Sequence, residues 1–120
     1  MNPEEFCKAL RSEQRMYGTL VVSTSPFWPK IIGDCGLDFI FIDGWHTFDY
    51  TLVDFFYADL LVREGGMIIV DDVLHRGVNK FEKYIKTNYG FYKQLNSPKT
   101  VGCFKKLRKD DRDWDFHRDF

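Results

Sequence analysis

The segment Leu37 to Asp43, LDFIFID, narrows the fold more than any other: it is short, nearly continuous in apolar residues, and stops on an acid. A strand with one wet face alternates apolar and polar residues, whereas a run without alternation is expected to be buried on both faces, as in a parallel sheet covered by helices. The pattern returns at Met67 to Val70, which is followed by Asp71-Asp72. Between the two runs, Phe48 to Val62 carries Leu52, Phe55, Phe56, Asp59 and Leu60 at helical spacing, and Glu64-Gly65-Gly66 offers residues tolerant of positive φ to end that helix. Strand, helix and strand in that order predict a βαβ unit.

The flanks extend the pattern. Asn2 followed by Pro3, Glu4 and Glu5 reads as a helix start, with Phe6, Ala9 and Leu10 as its narrow apolar face. Tyr17 to Ser23 is β-rich, and Ser25-Pro26 opens a helix expected to stop near Gly36. Downstream, Val78, Phe81, Tyr84 and Ile85 mark a helix closed near Tyr89-Gly90. Phe91 to Leu95 and Val101 to Leu107, joined by Asn96 to Thr100, predict an antiparallel hairpin. The expected fold is therefore one small α/β domain over residues 1–107, a mainly parallel sheet of about five strands flanked by helices and closed by that hairpin. Residues 108–120, RKDDRDWDFHRDF, form a charged tail that is either solvated or a docking segment.

Composition excludes several functions. A chain of 120 residues has room for one core. Seventeen basic against 18 acidic residues leave a formal charge of −1, without the basic excess expected for binding nucleic acid or an anionic membrane. With 44% hydrophobic and 18% aromatic residues, the apolar surface suffices to offset chain entropy, which argues against disorder. Cys7, Cys35 and Cys103 form no CxxC pair and no disulfide framework, and read as reduced, packed thiols. The start, MNPEEFCKAL, lacks the basic and apolar regions of a signal peptide, and no run reaches the roughly 18 apolar residues of a membrane span. A cytoplasmic protein is expected.

In open parallel sheets, chemistry gathers at the carboxyl ends of the strands. If the two apolar runs pair, Asp43, Asp71 and Asp72 meet at one rim with His46 close by. Three ionised carboxylates need a compensating charge, and a hard divalent cation such as Mg²⁺ supplies it through oxygen ligands and can orient and acidify a substrate hydroxyl. The plain alternative is that Asp43 caps a loop, Asp71 or Asp72 caps the next helix, and His46 is a surface residue. His46 is the candidate general base; His75 and His117 have less to recommend them. Trp45, Phe48, Tyr50, Phe55, Phe56 and Tyr57 could line an aromatic pocket, although aromatics at helical spacing more often pack a core or an interface.

From about Leu37 to Leu107 the chain resembles the C-terminal half of class I S-adenosylmethionine-dependent methyltransferases, a Rossmann-like fold: a strand ending in IDG-x-H, a helix with a spaced Asp, the turn LVREGG, a strand ending in DD, then a helix and an antiparallel hairpin. Among the metal-assisted O-methyltransferases of this type the strand-end acids bind Mg²⁺, which by resemblance falls to Asp43, Asp71 and Asp72. Some of those enzymes place a basic acid two residues after the first ligand; here that position is Trp45, and His46 is the nearest substitute. No GxGxG turn, the usual cradle of the methyl donor, occurs in the chain.

Residues 8–46 resemble instead the start of HpcH/HpaI-type metal-dependent aldolases: helix, first barrel strand, a helix opened by Ser-Pro, and a strand ending in IDxxH, whose histidine is again His46. A complete barrel of that kind needs about 200 residues or more.

The leading expectation is a methyltransferase-like protein, truncated on the donor-binding side. If active, it transfers methyl from S-adenosylmethionine to a hydroxyl of a small-molecule acceptor with the help of Mg²⁺. The alternatives are a non-catalytic α/β domain that self-associates as a homo-oligomer, and the remnant of an aldolase.

Overall fold

A computed structural model describes residues 36–120. Strand β1 (Leu37–Ile42) leads through helix α1 (Phe48–Leu61) into strand β2 (Val62–Val70), and helix α2 (Arg76–Asn88) is followed by strands β3 (Tyr92–Leu95) and β4 (Gly102–Lys106). The four described strands form one sheet in the order β1-β2-β4-β3. β1 and β2 are parallel, as the two apolar runs predict, and β4 pairs antiparallel with both β2 and β3.

Among the described residues the sheet is four-stranded and mixed, and the expected mainly parallel, five-stranded sheet is not confirmed by them. The hairpin returns β4 along β2, so two of the three described pairings are antiparallel. The expected strand at Tyr17 to Ser23, the two N-terminal helices, Cys7, Cys35 and residues 8–35 of the aldolase-like stretch lie outside the described residues.

Gly65-Gly66 has a different task from the one expected. Helix α1 stops at Leu61, because Val62 already has extended dihedrals (φ −78°, ψ 136°), and β2 begins without a loop. The glycines serve an irregularity in the strand, where pairing jumps from Leu37↔Val62 to Phe39↔Met67. Gly65 has φ +81°, and a Cβ on Gly66 would lie 2.6 Å from Val62 Cγ2 and 3.0 Å from the Asp38 carbonyl oxygen. Only glycine fits such a crowded bulge.

Ile40, Ile42, Ile68, Val70 and Phe104 are buried on one face of the sheet, against Phe55 of α1 and Phe81 of α2. Phe55, fully buried, lies 5.2 to 5.6 Å, centroid to centroid, from Phe81, Tyr89, Tyr92 and Phe104. The other face, with Phe39, Phe41, Met67 and Ile69, is only half buried among the described residues, so the strands show a period of two that the apolar run concealed.

At the start of β2 the core contains a polar cluster. Asp59 of α1 accepts a hydrogen bond from the Tyr92 hydroxyl (2.7 Å) and an ion pair from Lys106 (3.0 Å), whose ammonium also donates to the Asp59 carbonyl oxygen (2.7 Å). This satisfies a buried carboxylate and the otherwise unpartnered C-terminal carbonyls of α1 together.

The charged tail touches the domain at Arg112, Arg118 and Phe120. Arg112 stacks over Tyr89 and Phe91, Arg118 exchanges two 2.8 Å hydrogen bonds with the buried Asn88 side chain, and Phe120 stacks on Phe48 and packs edge-on against Tyr84.

Candidate metal centre

The parallel register carries Ile42 alongside Val70, and the Asp71 amide donates to the Ile42 carbonyl (2.9 Å) one step beyond the end of β2. Asp43 and Asp71 therefore leave the sheet side by side. Asp72 joins them through an unusual backbone: its φ is +58°, and its amide donates to its neighbour's Asp71 Oδ1 (2.8 Å). Non-glycine residues rarely occupy this left-handed region, and Asp and Asn tolerate it best. One carboxylate oxygen from each of Asp43, Asp71 and Asp72 lies within 4.8 Å of the other two. The three strand-end acids expected to meet do meet.

His46 comes to the same place. Its Nε2 lies 2.8 Å from Asp72 Oδ2, and its loop is pinned below by the buried Thr51 hydroxyl, which faces the carbonyls of Thr47 (2.9 Å) and Trp45 (3.2 Å). Above, the loop rests on the first turn of α2. A Cβ on Gly77 would lie 2.6 Å from the His46 carbonyl oxygen and 2.8 Å from the Phe48 nitrogen, so glycine is what lets the two segments touch.

That contact brings in a residue the sequence ranked low. His75, preceding α2, stacks on His46 with ring centroids 4.2 Å apart and planes 23° from parallel, and its Nε2 is 4.0 Å from Asp72 Oδ1. The signal was the short spacing Asp72-x-x-His75, which a turn closed by the His75 amide on the Asp72 carbonyl (3.0 Å) folds back on itself. His117 is elsewhere, beside Asp119.

Electrostatically the rim is unbalanced. Among the described residues no lysine or arginine pairs with Asp43, Asp71 or Asp72; only the two imidazoles face Asp72. Oxygen donors gathered at one point, with no described lysine or arginine beside them, suit a hard divalent cation. Asp54, half buried on α1, has its carboxyl raised above the usual range by burial, and its Oδ2 would be 3.1 Å from a Cβ on Gly44. Of the aromatics considered for a pocket, Phe55 is core, Phe48 packs partly on the core, and Trp45, Tyr50 and Phe56 are exposed.

No protein-family model matches the chain, and no curated protein matches it. Solved structures do. MycE methyltransferase from the mycinamycin biosynthetic pathway, in complex with Mg and SAH, superposes with a TM-score of 0.52 at 20% identity, over 71% of this chain and 30% of that one. The same enzyme with Mg, SAH and mycinamycin VI gives 0.51 at 19% identity, again over 71% and 30%. A second crystal form with Mg and SAH gives 0.52 at 18% identity, over 78% of this chain and 33% of that one. The described domain thus has a methyltransferase-like fold, and the chain aligns with about a third of the length of those structures. None of these three likenesses supports the aldolase resemblance.

Proposed function

We propose that Asp43, Asp71 and Asp72 hold a divalent cation, Mg²⁺ first of all, in a methyltransferase-like domain that transfers a methyl group from S-adenosylmethionine to a hydroxyl of a small-molecule acceptor. The observation that carries this reading is the meeting of three carboxylates at adjoining strand ends, with no lysine or arginine paired to them among the described residues. The neighbouring MycE structures, complexed with Mg and SAH and in one case with mycinamycin VI, support the choice of cation, donor and acceptor class. We take residues 1–107 as one α/β unit with residues 108–120 as its docked tail, and assign no described residue to the methyl donor.

When bound, the cation supplies a Lewis acid that orients and acidifies a hydroxyl. His46 is the base. Ionised Asp72 can only accept, so His46 Nε2 carries the hydrogen of their 2.8 Å bond and Nδ1 is left to receive a proton. His46 Nδ1 would take up the hydroxyl proton as the bound donor supplied its methyl group to the hydroxyl oxygen, so that the products would be S-adenosylhomocysteine and a methyl ether.

Calorimetric titration with S-adenosylhomocysteine, with and without Mg²⁺, tests the donor assignment: heat of binding is expected, and none at millimolar ligand would remove it. The double variant Asp71→Asn/Asp72→Asn should lose the Mg²⁺-dependent rise in melting temperature; an unchanged rise would put the ion elsewhere.

A second reading, a self-associating domain without catalysis, has its own observation. Tyr50, Val53, Phe56 and Leu60 lie three or four residues apart along α1, and each is 40 to 54% exposed. Such a stripe suits a second copy. Light scattering that finds a dimer, dispersed by Phe56→Glu/Leu60→Glu, would favour it, and a monomer would dismiss it.

A further inference from the structure

His46, Asp72 and His75 form a second group of ligand atoms, each within 4.8 Å of the others, and differ in kind from the three carboxylates beside them. Imidazole nitrogen is a poor ligand for Mg²⁺ and a good one for Zn²⁺, Co²⁺ or Ni²⁺, and two histidines with one carboxylate are a common protein set for such ions. Both Nε2 atoms are turned toward one carboxylate, at 2.8 Å from Oδ2 and 4.0 Å from Oδ1. Both backbones are held in place: the His46 loop by Thr51 and by its close contact with Gly77, and His75 by the turn back to Asp72, whose φ is positive. Tetrahedral bonds of roughly 2.0 to 2.2 Å put ligand atoms roughly 3.3 to 3.6 Å apart, between the 2.8 and 4.0 Å separations found here. All three side chains are at least one third exposed, so an ion can enter from solvent and keep a water.

We propose that His46, Asp72 and His75 bind a borderline divalent transition ion, Zn²⁺ being the representative, at a site that overlaps the oxygen site through Asp72. Filling it takes Nε2 of His46 and one oxygen of Asp72 together. On the reading of Asp43, Asp71 and Asp72 as the Mg²⁺ ligands, the transition ion therefore weakens Mg²⁺ binding and removes the partner that orients His46, which makes it an inhibitory ion. The binding claim itself does not rest on that reading.

The full chain is titrated with ZnCl₂ and, for a spectroscopic signature, with CoCl₂, while MgCl₂ binding is followed by melting temperature. The wild type should bind Zn²⁺ more tightly than Mg²⁺ and develop visible Co²⁺ absorption. His75→Ala should weaken Zn²⁺ at least about tenfold and lose that absorption with its Mg²⁺ response intact. Asp43→Asn should lose the Mg²⁺ response and keep the Co²⁺ spectrum. Should His75→Ala fail to fold by circular dichroism, His75→Gln and His46→Gln serve in its place. Equal Zn²⁺ affinity in wild type and the folded His75 and His46 variants, as binding at cysteines would give, overturns the proposal. So does a wild type that binds Zn²⁺ no better than Mg²⁺. A Co²⁺ site that depends on His75 in a protein indifferent to Mg²⁺ would leave this proposal standing and sink the oxygen-site reading.

Discussion

Carboxylates stand at both ends of the parallel pair β1–β2, one at the start of β2 and three where the strands end, and their surroundings are built in opposite ways. Where β2 begins, Asp59 is buried, paired with Lys106 and hydrogen-bonded by Tyr92. Where β1 and β2 end, Asp43, Asp71 and Asp72 stand at the surface with two imidazoles and no lysine or arginine paired to them among the described residues. The first arrangement balances its charge inside the protein and so belongs to the fold. The second is balanced by no described lysine or arginine, an arrangement suited to a binding site.

The contrast can be broken most forcefully at Lys106. Lys106→Met leaves Asp59 buried without its cation and should cost about 3 to 5 kcal/mol in urea unfolding. A loss below about 1 kcal/mol would deny the cluster its structural role. At the other end, Asp71→Asn without metal should leave stability unchanged or raise it by up to about 1 kcal/mol, because like charges are relieved at a partly exposed site. A loss as large as that of Lys106→Met would mean that both clusters are structural. Tyr92→Phe removes one hydrogen bond from Asp59 while keeping the ion pair and the ring, for an expected cost of about 1 kcal/mol.

A further effect concerns alkaline pH. Burial raises the Tyr89 hydroxyl from its usual value near 10 to about 12. A folded state that holds this proton more tightly is favoured below pH 10, and that advantage is lost as pH rises from 10 through 12. The Tyr92 hydroxyl is raised in the same direction, by burial first and then by the Asp59 charge. Tyr89→Phe should flatten the fall in stability across that window. An unaltered alkaline limb would show that Tyr89 does not titrate with unfolding.

Much of the rim could be read from the chain, for a simple reason. Two apolar runs that each end in acid must bring those acids together if they pair in parallel, so Asp43, Asp71 and Asp72 follow from strand register alone. His46 follows because it is only three residues past Asp43. His75 did not, since its place depends on a positive φ at Asp72 and on a glycine contact between segments thirty residues apart. Lys106 was equally hidden: a lysine in a strand normally points to water, and only the end of α1 with Asp59 gives it a reason to turn inward. The role of Gly65-Gly66 was misread because positive φ serves a helix end and a strand bulge alike, and the choice rests on how closely Asp38 approaches.

By itself, then, the sequence determined the βαβ unit, the antiparallel hairpin and the acids at the strand ends, all of which depend on periodicity and on chain neighbours. Only the tertiary structure decided that β4 lies between β2 and β3, that the tail packs on α2, and which histidine shares Asp72 with His46. These outcomes depend on contacts between residues far apart in the chain, where burial, close approach and charge pairing choose among conformations that local propensity leaves equal.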